Sequence, residues 1–200
     1  MHAAALLFGG ITQQAWSELR YSVDSGEPAF PRVFGTDAFS YLTQHPDEAA
    51  NFDAAMADFT RMIAVAVAAT YEFSGAGTVM DVGAGNGVLL EAVLRANPAL
   101  RGVLFDLPHV AERARGRIRD VGLADRCEVV GGDFLAAVPE GADVCMLKHV
   151  IHDWNDTKAA AILRNCPRRW VRRAPYWWWR PSTRRALISR TSPLRQRPTT

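Results

Sequence analysis

The sequence predicts an α/β fold built on a parallel, doubly wound sheet. Short apolar runs of four or five residues alternate with amphipathic stretches from Thr78 onward. The first run closes on a cluster of glycines, and an acid stands at or just beyond the end of each of the first three. Strands alternating with helices make right-handed βαβ units, with strands side by side and helices on both faces.

Taken in order, residues 3–20 carry Leu6, Leu7, Ile11, Ala15, Trp16 and Leu19 at helical spacing. The opening apolar run has no Lys or Arg before it and is too short for a membrane helix, so neither a signal peptide nor a membrane anchor is expected. It reads as half of a helix whose beginning is missing. Tyr21–Phe39 is rich in Gly, Pro and Ser with interleaved Phe30, Phe34 and Phe39, and is expected to form an ordered loop region. Pro46–Thr70 is the longest helical stretch, with Phe52, Met56, Phe59, Ile63 and Val67 recurring every three or four residues. Helices are then expected at Val88–Ala96, Val110–Val121 and Lys158–Asn165, and strands at Thr78–Val82, Gly102–Asp106, Cys127–Val130 and Asp143–Leu147.

Charge divides the chain sharply. The 34 residues from Pro167 hold ten arginines, five prolines and four of the six tryptophans, with no acid and no glycine. Without them the chain carries 13 basic against 21 acidic residues. A basic, aromatic tail suits a nucleic-acid or membrane surface. The abrupt change of composition fits a shifted reading frame in a GC-rich gene better, and such a segment is not expected to fold. The three cysteines, Cys127, Cys145 and Cys166, match no metal or redox spacing. Cys127 and Cys145 fall in strand-like runs and are expected to be buried thiols, which suits a reducing cytoplasm.

The chemistry starts at Met80-Asp-Val-Gly-Ala-Gly-Asn-Gly87. Glycines directly after a strand permit dihedrals closed to other residues and let a ligand approach the backbone. A dinucleotide loop wants G-x-G-x-x-G, which counted from Gly83 and Gly85 puts its last glycine at 88; here that position is Val88, and the glycine falls at Gly87. Asp81 ahead of the turn suits a cationic ligand better than a pyrophosphate, so S-adenosylmethionine is favoured. Asp106, at the end of the second strand, can accept both ribose hydroxyls, or can cap the helix ahead of Pro108. Asp133, in Gly131-Gly-Asp-Phe-Leu135, can take an adenine amino group while Phe134 covers the ring. Three acids at three successive strand ends line one sheet edge.

After the fourth run comes Leu147-Lys-His-Val-Ile-His-Asp-Trp-Asn-Asp156. With DVGAGNG at 81–87, FDLPHV at 105–110 and GDF at 132–134, this segment resembles the large O-methyltransferase family that includes plant caffeate and flavonoid enzymes, acetylserotonin methyltransferase and bacterial polyketide-tailoring enzymes. SGEPAFPRVFG at 25–35 and FDAAM at 52–56 resemble it too, so the likeness covers about residues 15–166.

The resemblance implies a Rossmann-like class I methyltransferase sheet, preceded by helices, with S-adenosyl-L-methionine as methyl donor and a small hydroxylated aromatic or polyketide-like acceptor. It implies His152 as general base, Lys148 beside the cofactor, Trp154 against the adenine, and Asp81, Gly83, Gly85, Gly87, Asp106, Leu107, Asp133 and Phe134 as further cofactor-binding residues.

The chemistry agrees: transfer to oxygen needs alignment and a deprotonated nucleophile. A phenol titrates near pH 10 and an imidazole near 6.5, so a histidine in hydrogen-bond reach can take the proton as the bond forms. No metal is required, and no metal-ligand cluster is present in the sequence.

Asp153 could orient the imidazole or begin the next helix. His149 reads as a structural neighbour, and Asp156 as the cap of the helix that follows. Phe39, Met56 and Phe59 sit where the family places cofactor- or substrate-facing side chains, although core packing explains them equally.

The expected division is a helical remnant at 1–72, a donor-binding core at 73–166 and the tail at 167–200. The family's N-terminal dimerisation domain and its later strands are expected to be missing, so the homodimer belongs to the intact family. A sheet cut after four strands leaves an open edge, which predicts poor solubility and little or no activity. A class I N- or C-methyltransferase, or a non-catalytic truncated product, are the competing readings.

Overall fold

A computed structural model describes residues 2–166; the basic tail at 167–200, and the readings made of it, lie outside the described residues. Four strands, β1 (Thr78–Val82), β2 (Arg101–Asp106), β3 (Cys127–Gly131) and β4 (Val144–Met146), form one parallel sheet in the order β3-β2-β1-β4. Pairing aligns Asp81 with Leu104 of β2 and Met146 of β4, and Asp106 with Gly131 of β3. The chain moves outward from β1 through β2 to β3, then crosses back to lay β4 on the other side of β1. The point between β1 and β4 is therefore where the winding reverses, and open sheets of this kind bind ligands there, beyond the carboxyl ends of the strands.

Both faces of the sheet are covered, which is why its strands read as nearly continuous apolar runs. On one face Val79, Leu104 and Val129 pack with helices α7 (Val88–Ala96) and α8 (Pro108–Asp120), through Leu90, Leu94, Ala111, Ala114 and Ile118. On the other, Met80, Val82 and Phe105 pack with Val138, Val150 and Ile162 of helix α9 (Asp156–Asn165). Side chains alternate along a strand, so Asp81 shares the face of Val79. It is the one polar side chain in β1's buried stretch, 2% exposed.

The helix over Pro46–Thr70, α6, is as long as its periodicity predicts. Its second half joins the first core through Ala64, Val67 and Ala68. Its first half, with Ala49, Phe52, Ala55, Met56 and Phe59, packs with the amino-terminal helices α1 (His2–Gly9) and α2 (Ile11–Trp16). α6 thus ties the amino-terminal helices to the sheet domain.

The amino-terminal segment departs from expectation in two places. The single helix over residues 3–20 is split at Gly10, whose backbone leaves the helical region and passes so close to the Leu6 carbonyl that a Cβ would lie 2.8 Å from it. Leu7, Ile11 and Ala15 are buried, whereas Leu6, Trp16 and Leu19 are exposed. The expected loop at Tyr21–Phe39 instead contains most of α3 (Leu19–Ser25), α4 (Phe30–Phe34) and the start of α5 (Ala38–Gln44). Gly26 and Gly35 end α3 and α4 in the left-handed conformation, both at φ 75°, and the Asp37 carboxylate accepts from the Phe39 and Ser40 N–H groups to start α5. Helices of five to seven residues are too short to show a period, and tertiary packing holds them: Phe30, Phe34 and Tyr41 form a ring cluster with centroids 4.4–5.6 Å apart.

All three cysteines are free; Cys127 and Cys166 are buried and Cys145 is half-buried. Burial pushes the Cys127 thiol up to about 11. Among the described residues, no helix is long and apolar enough to cross a membrane.

Candidate functional site at the carboxyl edge of the sheet

The turn after β1 uses its glycines for three different reasons. Gly83, Gly85 and Gly87 all have positive φ, at 71°, 58° and 80°. A Cβ on Gly83 would lie 2.6 Å from a Val150 methyl and 3.7 Å from the Phe134 ring. On Gly87 it would lie 2.7 Å from a Leu104 methyl, so that glycine lets α7 settle on the sheet. On Gly85 it would meet nothing within 4 Å: there the backbone borders open space. Gly85 is the position at which the main chain is bare toward a ligand.

Asp106 fastens this turn. One carboxylate oxygen accepts from the Gly85 N–H and the other from the Leu107 N–H, both at 2.7 Å. Leu107 is the residue before α8, so the acid serves the helix start as well as the turn. Burial pushes the Asp106 carboxyl up, and these two N–H groups oppose the shift. Asp81 is deeper. Its removal from water pushes its carboxyl up to about 7, with the Lys148 ammonium pulling it down and Asp106 adding to the rise.

Lys148 follows β4 and points the same way. Its Nζ donates to the Thr60 hydroxyl at 2.6 Å, and the Thr60 hydroxyl donates to the Met56 carbonyl at 2.6 Å. Thr60, buried on α6, is a site neighbour that the sequence reading passed over. From that helix the sequence points to Met56 and Phe59. A threonine in a helix carries no motif, and the pairing spans 88 residues of sequence, so no local pattern announces it.

His149 is the only non-glycine residue with positive φ, at 55°, among the described residues. A bulky residue in that region is uncommon and concentrates at functional sites. Burial, with Lys148 and His152 beside it, pushes its imidazole down to about 4, and its ring lies 5.0 Å from that of His152. After buried Val150 the chain makes one 3₁₀ turn, Ile151–Asp153, which exposes His152. The His152 Nε2 is 3.3 Å from an Asp153 carboxylate oxygen. Asp153 ends that turn and does not begin α9. The cap of α9 is Asn155, whose side chain accepts from the Lys158 N–H at 3.0 Å; Asp156, expected in that role, is the first helical residue. Asn155 serves because the residue before the helix has the extended backbone that lets its oxygen reach back.

Trp154 joins the site from the same segment. Its ring stacks on Phe39 at 5.7 Å and meets Phe134 edge-on at 5.8 Å, while the Lys158 ammonium lies 4.9 Å over it. Asn165 holds the Phe134 and Leu135 carbonyls at 2.9 and 3.0 Å. Asp133 is the outlier. It is exposed, and its carboxylate accepts from the Leu135 N–H at 2.8 Å within its own loop.

The structure therefore joins Asp81 electrostatically to both Asp106 and Lys148, Asp106 to the glycine turn by hydrogen bond, and the turn at Gly83 to Val150 and Phe134, with Trp154 reached through Phe134. Asp133 reaches this group only through its neighbour Phe134.

Such an edge suits a cationic nucleoside. Two carboxyls held above their ordinary range gain from a positive charge nearby, and a bare glycine backbone admits a ligand without a clash. Residues 16–172 match the family model of an O-methyltransferase domain. The chain belongs to this O-methyltransferase domain family. It is 45% identical to phenazine O-methyltransferase PhzM of Lysobacter antibioticus over 168 residues, 84% of this chain and 49% of that protein. It is 43% identical to O-demethylpuromycin-O-methyltransferase of Streptomyces alboniger over 82% of this chain and 44% of that one. Among solved structures, NcsB1 of neocarzinostatin biosynthesis, in complex with S-adenosylmethionine and 2-hydroxy-5-methyl naphthoic acid, superposes with a TM-score of 0.76 at 37% identity, over 82% of this chain and 51% of that one. The chain spans about half the length of the relatives it matches.

Proposed function

We propose that this chain carries the donor-binding and proton-transfer half of an S-adenosylmethionine-dependent O-methyltransferase acting on a hydroxyl of a small aromatic or polyketide-like acceptor. The observation that carries the proposal is the meeting of Asp106, the open Gly85 backbone, Asp81 and Lys148 at the carboxyl edge of the sheet, with Val150, at the start of the His152 turn, packed against Gly83. When bound, the donor supplies an electrophilic methyl group on a sulfonium.

The chain's own residues do the rest. Asp106, anchored by two backbone N–H groups, keeps further lone pairs for the ribose hydroxyls. Gly85 lets the ligand lie against the main chain, and Gly83 lets Val150 and Phe134 close in beside the turn. The adenine is held by Phe134 and Trp154, with Phe39 at its side and Asp133 at the rim. Lys148 and Asp81 form a charge pair for the methionine end. His152 takes the acceptor's hydroxyl proton on an imidazole nitrogen. Asp153, 3.3 Å from Nε2, orients that ring and stabilises its protonated form.

The test is to incubate the chain with S-adenosylmethionine and matched phenolic and anilinic acceptors, and to follow product mass. A methyl gain on the phenol alone supports transfer to oxygen. Gain on the amine alone assigns transfer to nitrogen, and gain on neither, with no binding of S-adenosylhomocysteine, removes the enzymatic reading.

A further inference from the structure

We infer that Thr60 is a positioning residue for the donor site: its hydroxyl, presented by α6, holds the Lys148 ammonium beside Asp81. The inference rests on the donor-site reading above and adds to it a residue from outside the sheet.

Lys148 follows a short edge strand and lies in a segment that contains the left-handed His149 and no regular helix or strand. Its side chain has four rotatable bonds and a charge at its tip, so without a partner it samples many positions. Burying such a tip requires a hydrogen-bond acceptor. Thr60 supplies one at 2.6 Å from a rigid helix, and its own rotor is fixed because its hydroxyl proton is committed to the Met56 carbonyl. The hydroxyl oxygen is thus left as an acceptor aimed at the ammonium. Thr60 is itself only 7% exposed, so water does not readily replace it.

Two further features place α6 over the ligand edge rather than merely near it. Asp53, Met56 and Thr60 fall at positions i, i+3 and i+7, one face of the helix. Asp53 bonds Arg113 of α8 at 2.6 Å, and its charge is felt by Asp106. The same helix face therefore bonds α8 through Asp53 and the segment after β4 through Thr60. A carboxylate–ammonium pair at the methionine end is useful only if the ammonium stays put, and Thr60 fixes it.

The experiment is calorimetric titration of S-adenosylhomocysteine into the chain and into Thr60→Val, Thr60→Ser, Lys148→Met and the Thr60→Val/Lys148→Met pair. Thermal melts of each report folding separately. Thr60→Val is expected to weaken binding about tenfold, the worth of one hydrogen bond to a charged group. Thr60→Ser, which keeps the hydroxyl, restores it. Adding Thr60→Val to Lys148→Met changes nothing further, because the residue acts through the lysine. Unaltered affinity in Thr60→Val, no rescue by Thr60→Ser, or an equal loss on the Lys148→Met background would each overturn the inference. If the unaltered chain binds no S-adenosylhomocysteine, the donor-site reading fails first and this inference falls with it.

Discussion

Asp143 and Asp81 both sit where β1 runs beside β4, one at the amino end of the pair and one near its carboxyl end. The Asp143 carboxylate accepts from the Gly77 and Thr78 N–H groups at 2.9 and 3.1 Å, tying the strand starts together. At the starts of β2 and β3, on the same edge, the Arg126 guanidinium donates to the carbonyls of Leu94, Asn97, Pro98 and Leu100. An open cleft of about 580 Å³ at this amino edge is lined by Tyr71, Phe73, Asn97 and Leu100, and holds none of the residues expected to do chemistry. At the carboxyl edge the Asp81 carboxyl is pushed up by burial, within the electrostatic reach of Lys148 and Asp106, and His152 lies exposed on a single turn. At the amino edge Asp143 and Arg126 bond the protein's own backbone. At the carboxyl edge Asp106 does so too, but it and Asp81 are buried carboxyls held above their ordinary range.

Four substitutions sharpen this contrast. If His152 is the proposed base, His152→Ala should lower the rate of methyl transfer about 10²–10⁴-fold in single-turnover assays while S-adenosylhomocysteine still binds, because the proposal assigns donor binding to other residues. Asp81 gives a stability effect with a defined sign. Its folded carboxyl titrates near 7 and an unfolded aspartate near 3.9, so between those values the folded state holds a proton that the unfolded state has lost. Stability of the unliganded chain should therefore fall as pH rises from about 4 to about 7, by on the order of 4 kcal/mol, and Asp81→Asn should abolish that component in denaturant titrations.

Asp106→Ala removes the acceptor of two N–H groups that shape the glycine turn, and should weaken S-adenosylhomocysteine binding about 10–100-fold by calorimetry. Asp143→Ala is the control from the opposite edge. It should cost about 1–3 kcal/mol of stability and leave that affinity unchanged. Equal losses of affinity in the two variants would erase the distinction between the edges.

The sheet domain was legible because its signals are local and redundant. Thr78–Val82 and Val88–Ala96 form at the expected residues, and the glycine turn between them has the positive φ angles its composition demanded. The amino-terminal part was less legible. α4 and α5 are one or two turns long and pack through the rings of Phe30, Phe34 and Tyr41, which are brought together by the fold and not by spacing.

The site divides the same way. Asp81 and Asp106 share one edge because strand ends converge by topology, whereas Lys148 was expected beside them only from the family resemblance. Thr60 was missed because it reaches the edge from a helix 88 residues away, and Asn155 was passed over for Asp156 because a cap is decided by one residue's backbone angles. Asp133 shows the converse: strand-end position suggested a full member of the cluster, and its carboxylate is bonded within its own loop.

The central claim is that the carboxyl edge holds the methyl donor. A crystal structure of the chain with S-adenosylhomocysteine tests it most directly. The ribose hydroxyls should lie within hydrogen-bond distance of Asp106, with the thioether facing the His152 turn and the adenine beside Trp154. A nucleoside seated in the cleft at the amino edge, or anywhere that leaves Asp106 untouched, would contradict it.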